Sequence, residues 1–127
     1  MSNYSRASII SVFGLRKHPA YHTSEFHPGI DIKAAVGDPV TASAGGSIIY
    51  SGKQSGYGNI VIIDHDRGLC TVYAHLSEIL AETGSVVADG QVIGRVGMSG
   101  NSTGPHLHFE VRMDGKAVDP VGYLPGR

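Results

Sequence analysis

Seven histidines stand among the 127 residues, at positions 18, 22, 27, 65, 75, 106 and 108. Two segments concentrate groups able to hold a metal, His27-Pro28-Gly29-Ile30-Asp31 and His106-Leu107-His108. On an extended strand, residues two apart share a face, so His106 and His108 can address one point. A hydrolytic zinc centre takes about three His, Asp or Glu ligands and leaves one position open for water. Two histidines and one aspartate meet that need. A single carboxylate together with hydroxide would neutralise the ion, which eases its placement in a low-dielectric cleft. Each segment alone is ordinary, because strand histidines usually face solvent and Gly and Asp are frequent turn residues. A further histidine in Tyr73-Ala74-His75-Leu76 makes coincidence hard to sustain and points to a metal centre.

These residues need rigid elements to position them. Eighteen glycines, six prolines, no tryptophan and frequent Val and Ile favour short strands over helices. We expect one all-β domain over residues 1–127, mainly an antiparallel sheet. Strands are predicted at 8–13, 30–34, 40–43, 47–51, 59–64, 69–76, 85–87, 91–96 and 106–113, with a short one around 117–118. A polar loop is expected over 14–28 and one or two helical turns over 77–83, with Ser77 as N-cap. The run Ile60-Val61-Ile62-Ile63 predicts a strand covered on both faces. In 106–113, alternation sets Leu107, Phe109, Val111 and Met113 against His106, His108, Glu110 and Arg112. In 69–76 it sets Cys70, Val72, Ala74 and Leu76 on an apolar face, and Thr71, Tyr73 and His75 on the other.

Formal net charge is −1, and the ten basic residues form no stripe or block, which argues against nucleic acid or an anionic membrane as partner. No apolar run approaches the roughly 18–20 residues of a membrane-spanning helix. Residues 1–6 carry no apolar signal core, so we expect a domain cut from a longer secreted chain or export without a signal peptide. Cys70 stands alone, which excludes an internal disulfide and a cysteine zinc knuckle.

The order His27-Pro28-Gly29-Ile30-Asp31, Tyr73-Ala74-His75-Leu76 and Gly100 to Glu110, followed by Val118-Asp119-Pro120, resembles the lysostaphin-type (LytM-like) family of zinc endopeptidases. That family cuts peptidoglycan cross-links, and the resemblance covers residues 14–124. It implies an antiparallel sheet whose groove holds one zinc ion, with His27, Asp31 and His108 as ligands. It also implies His75 and His106 as catalytic histidines beside the metal, either of which could be the general base. Tyr21, six residues before His27, matches a tyrosine that in some members donates to the tetrahedral oxyanion. The implied substrates are peptidoglycan stem peptides, cut at a D-alanyl bond to a diamino acid, or glycyl-glycine cross-bridges. Short loops and Arg16-Lys17-His18-Pro19 look more like the first group.

The implied setting is extracytoplasmic (periplasm, cell wall or secreted), with the chain acting as a monomer, either as part of a longer protein or as a phage-derived lysin. A non-catalytic module that activates or scaffolds another wall hydrolase is the competing reading, and the retained ligands and histidines argue against it. A lipoyl-type carrier is suggested by 84–94, but Gly97-Met98-Ser99-Gly100 holds no lysine to modify.

The remaining polar residues have plainer expectations. His18 makes a structural hydrogen bond, with groove lining as the alternative, His22 is solvated, and His65 satisfies backbone at a turn. Cys70 is a small core residue. Glu110 pairs with Arg112 or solvent, with a contact behind the histidine pair as the alternative. Asn101, Ser102 and Thr103 form either a groove wall or a simple polar turn.

Overall fold

The computed structural model describes residues 9–11, 14–18, 23–100 and 104–120, with side chains described from Pro28 onward. The described strands begin with β1 (Ile9–Ser11), β2 (Gly14–His18), β3 (Thr23–His27) and β4 (Ile30–Lys33). Then come β5 (Pro39–Thr41), β6 (Gly46–Gln54), β7 (Gly58–Asp64) and β8 (Leu69–Ile79). The last four are β9 (Val86–Val87), β10 (Val92–Val96), β11 (His106–Met113) and β12 (Lys116–Val118). The main sheet is antiparallel in the order β1-β4-β11-β8-β7-β6-β9, with β12 added to β11 and the β5–β10 pair joined to the end of β8. The all-β expectation holds.

One face of the sheet carries the main core. Leu107, Phe109 and Val111 of β11 are buried there with Ile30 and Ile32 of β4, Val61 and Ile63 of β7, and Ile93 and Val96 of β10. A smaller cluster of Ile60, Val72 and Ala74 lies apart from it, packed with Tyr57 and Ile62. Both faces of β7 are therefore covered, as its unbroken apolar run predicts. The turn at Asp114-Gly115 has positive φ at both residues (51° and 83°), the geometry of a tight two-residue hairpin.

Four expectations need correction. Residues 14–27 are not a loop alone: β2 and β3 pair antiparallel from Gly14↔His27 to His18↔Thr23. A mostly polar hairpin offers no alternating apolar face to announce it. No helix forms over 77–83, because β8 runs on to Ile79, where β10 pairs with it and Ser77 donates its hydroxyl to the Val96 carbonyl instead of capping. Before the bulge, over 70–74, the faces of β8 are the reverse of those expected, while His75 and Leu76 fall on the sides predicted for them. Tyr73 lies in the main core, its ring 5.4 Å from that of Phe109, while Val72 and Ala74 lie on the other side. Cys70 is half-buried and stands opposite Arg112, outside both core clusters.

Tyr73 tolerates full burial because its phenol is satisfied. Its oxygen accepts from the Ser43 amide at 3.0 Å and shares protons with the Ser43 hydroxyl (2.9 Å) and the Thr71 hydroxyl (2.8 Å). Tyr73→Phe should thus lower unfolding free energy by about 1–3 kcal/mol through stranded polar partners, and Tyr73→Ala by about 3–5 kcal/mol through the cavity. Urea unfolding followed by circular dichroism measures both, and equal costs for the two variants would contradict the hydrogen-bond account.

Candidate metal centre

Strand register brings the sequence-distant groups together. His108 of β11 stands opposite Asp31 of β4 on one side and Ala74 of β8 on the other. The apolar residues of β11 face the core, so His106, His108, Glu110 and Arg112 project from the opposite face. Asp31 Oδ1 lies 3.0 Å from His108 Nδ1 and 3.3 Å from His106 Nε2. Gly29 allows β4 to enter this close: a Cβ there would collide with the Phe109 carbonyl and crowd Glu110 Cγ at 2.7 Å.

His75 reaches the same face by a backbone device. Between the pairs Val61↔Tyr73 and Asn59↔Leu76, β8 contains one residue more than β7. That is a β-bulge, and within it His75 takes φ of 62°, a left-handed conformation uncommon outside glycine. Alternation breaks there, so His75 turns to the side of His108 although Tyr73 does not. Its ring centroid is 5.2 Å from that of His106 and 5.8 Å from that of His108, both edge-on.

The loop contacts fix the histidine protons. His75 donates Nδ1–H to the Ser99 carbonyl at 2.6 Å, and its amide donates to the Tyr57 carbonyl at 2.9 Å. His106 donates Nδ1–H to the Gly104 carbonyl at 3.0 Å. Each therefore keeps its Nε2 lone pair for chemistry. Ser99 also ties the surrounding loops together, accepting from the Asn59 amide at 3.0 Å and donating to the Leu76 carbonyl at 2.7 Å. Gly58, at φ of 70°, sits so close to Ser99 and Gly100 that a Cβ would strike their backbone.

The donor set fits a cation. The His106 Nε2 lone pair points to a carboxylate oxygen, and His108 has carboxylates on both nitrogens, Asp31 at Nδ1 and Glu110 at Nε2 (2.8 Å). Neutral imidazoles carry too few protons for all these contacts, so a proton or a metal ion must lie among them. Two zinc ligands at about 2.0–2.1 Å in tetrahedral geometry lie about 3.3 Å apart, close to the separations at Asp31 Oδ1. Among the described residues, no group of three or more His, Cys, Asp or Glu side chains forms a ready metal cage. The third expected ligand, His27, is described only as backbone at the end of β3. Tyr21, His22 and Asn101 to Thr103 lie outside the described residues.

Without a metal, burial alone would push the His108 imidazolium down, but hydrogen bonds to Asp31 and Glu110 outweigh it and hold its pKa at about 8. Burial lowers that of His75, with His108 and His106 adding to the effect against the Ser99 carbonyl, so its imidazole is neutral at pH 7. Sequence reasoning undervalued Tyr57 and Glu110. Glu110 is fully buried and bonds His108 and Arg112 simultaneously, and Tyr57 donates to it at 2.7 Å. His65 bonds the Gly45 carbonyl at 2.7 Å, backbone as expected, and the Thr71 hydroxyl. A surface cavity of about 510 Å³, walled by Lys53, Gln54, Asn59, Ser99 and neighbouring glycines, adjoins His75 through Ser99.

Residues 25–120 match the family model for Peptidase family M23. A DD-carboxypeptidase/endopeptidase, Mpg, of Neisseria meningitidis is 52% identical over 118 residues, which are 93% of this chain and 27% of the relative. A murein hydrolase activator, NlpD, of Salmonella dublin is 41% identical over 100 residues, 78% of this chain and 26% of the relative. The chain thus spans about a quarter of the length of these curated relatives. Among solved structures, a zinc-containing peptidase from Vibrio cholerae superposes with a TM-score of 0.85 at 38% identity, over 93% of this chain and 36% of that one. The catalytic domain of lysostaphin from Staphylococcus simulans gives 0.82 at 31% identity, over 95% of this chain and 92% of that one.

The raised His108 pKa makes a metal-free prediction. Because the folded value exceeds the unfolded one of about 6.5, His108 contributes its full stabilisation below pH 6.5 and loses it as pH rises through 8. Chelator-treated protein should therefore lose about 2 kcal/mol of stability across that window, and His108→Gln should flatten the slope. Unfolding curves at stepped pH measure it.

Proposed function

The chain belongs to Peptidase family M23, and on that premise we propose that it is a zinc-dependent endopeptidase domain acting on the peptide cross-links of bacterial peptidoglycan. The observation that carries this reading is the convergence of His75, His106, His108 and Asp31 on one face of the sheet, with Asp31 against both His106 and His108. His27, Asp31 and His108 would hold the zinc ion. When bound, it polarises the scissile carbonyl and brings the pKa of the nucleophilic water to about 7. His75 and His106, with Nδ1 committed to carbonyls, present Nε2 to accept the water's proton and return it to the leaving amine. Tyr21 is the proposed oxyanion donor.

The cavity wall of glycine backbone with Lys53, Gln54 and Asn59 suits an extended peptide, offering amides and carbonyls to its main chain. We assign stem-peptide bonds from D-alanine to a diamino acid as the first substrate, which accords with the Neisseria relative's name, and glycyl-glycine bridges as the second. Such substrates lie outside the cytoplasmic membrane, and we assign the domain to that side; we also assign one monomeric peptidase domain to residues 1–127. No helix among the described residues is long and apolar enough to cross a membrane.

Activation of another wall hydrolase is the second reading, favoured by the Salmonella relative. Digestion of purified muropeptide dimers separates them, with product masses identifying the bond. The peptidase reading expects about one bound zinc and cleavage lost on chelation. His75→Ala and His106→Ala should each lower kcat by about 10²–10⁴-fold with zinc retained. Protein that binds no zinc and gains no cleavage on its addition would leave the activator reading standing.

A further inference from the structure

Behind His108, away from Asp31, lies a polar network that the cleavage chemistry above does not use. Glu110 is 0% exposed, and both its oxygens are engaged. Oε2 accepts from Tyr57 at 2.7 Å and lies 2.8 Å from His108 Nε2. Oε1 accepts from Arg112 through Nε and a terminal nitrogen, both at 2.9 Å. A carboxylate with no water around it is costly unless a cation and full hydrogen bonding offset the loss. Arg112 supplies the charge, Tyr57 a neutral donor, and His108 the remaining proton. Tyr57 is itself anchored, since the carbonyl of its own residue holds the His75 amide and its ring lies 5.7 Å from that of His108.

The two nitrogens of His108 meet different carboxylates. Nε2 faces the fully buried Glu110, and Nδ1 faces Asp31, whose side chain is 16% exposed on the open side. A neutral imidazole has one N–H, and the buried, cation-paired carboxylate holds it at Nε2. That leaves the Nδ1 lone pair beside Asp31, toward the position a metal would share. The geometry points to Glu110 as a positioning residue of the metal centre: by accepting a hydrogen bond from Nε2–H of His108 it commits Nδ1 to the metal, with Tyr57 and Arg112 holding Glu110 in place. This rests on the zinc reading above, and it assigns part of the centre's affinity to residues that never touch the ion.

Glutamine cannot replace Glu110 cleanly. If its carbonyl oxygen serves His108 and Tyr57, its amide N–H₂ faces the Arg112 fork, donor against donor. The test is zinc affinity, measured by competition with a chromophoric chelator at fixed pH, alongside thermal unfolding of the metal-free proteins. Glu110→Gln should bind zinc about 10–100-fold more weakly than wild type, and Tyr57→Phe several-fold more weakly. Cobalt(II) loaded into Glu110→Gln should show shifted visible bands, a change that loss of fold stability alone would not produce. A folded Glu110→Gln with unaltered zinc affinity and cobalt spectrum overturns the proposal while leaving the peptidase reading intact. If that variant does not fold, wild-type zinc affinity in Tyr57→Phe overturns it instead. Wild-type protein that binds no zinc overturns both.

Discussion

The site depends on the double pairing of β11. That strand is gripped by β4 along His106 to Phe109 and by β8 along His108 to Met113, so His108 alone faces both Asp31 and the His75 bulge region. The grip is set from the apolar side, where Leu107, Phe109 and Val111 are buried with Ile30 and Ile32. A slip of one residue would turn those three to the groove and His108 to the core, which burial forbids. Core packing thereby fixes the position of a polar residue that contributes nothing to the core.

Electrostatics on the other face follow from that placement. Asp31 and Glu110 flank one imidazole, with Arg112 as the cation behind them. The pattern runs from a fully buried, charge-paired end at Glu110 to a partly exposed end at Asp31. Proton-holding groups thus lie on the buried side and lone pairs on the open side, which suits an ion arriving from solvent. Holding several acceptors this close is unfavourable without a cation, so the fold and the ion stabilise each other.

His75 shows how backbone strain serves position. A β-branched or bulky residue at φ of 62° would be an outlier, and even histidine bears a cost there of about 1–3 kcal/mol. The bulge is over-determined by its neighbours: the His75 amide bonds Tyr57, its ring bonds Ser99, and Ser99 bonds both Asn59 and Leu76. The glycine contacts between 58 and 99–100 let these loops close to that distance. A regular strand would have placed His75 with Tyr73, under the sheet.

The sequence by itself determined that the chain is all-β, that Leu107, Phe109 and Val111 oppose His106, His108 and Glu110, and that three motifs carry a hydrolytic pattern. Those properties are local, set by period-two alternation and residue type, and 106–113 shows them cleanly. Tertiary structure alone decided the rest. It set Tyr73 in the core and Val72 and Ala74 opposite, the reverse of the expected faces before His75, because one inserted residue at the bulge shifts the phase of alternation and no composition signal marks it. It paired 14–18 with 23–27 through backbone hydrogen bonds that polar side chains do not advertise. It gave Glu110 its partner Tyr57, since a contact across 53 residues is fixed by strand register and not by spacing, whereas the pairing with Arg112 two residues on was legible from their shared face. Residue types and order state which chemistry is available; the direction each imidazole nitrogen faces depends on carbonyls and carboxylates delivered by other strands.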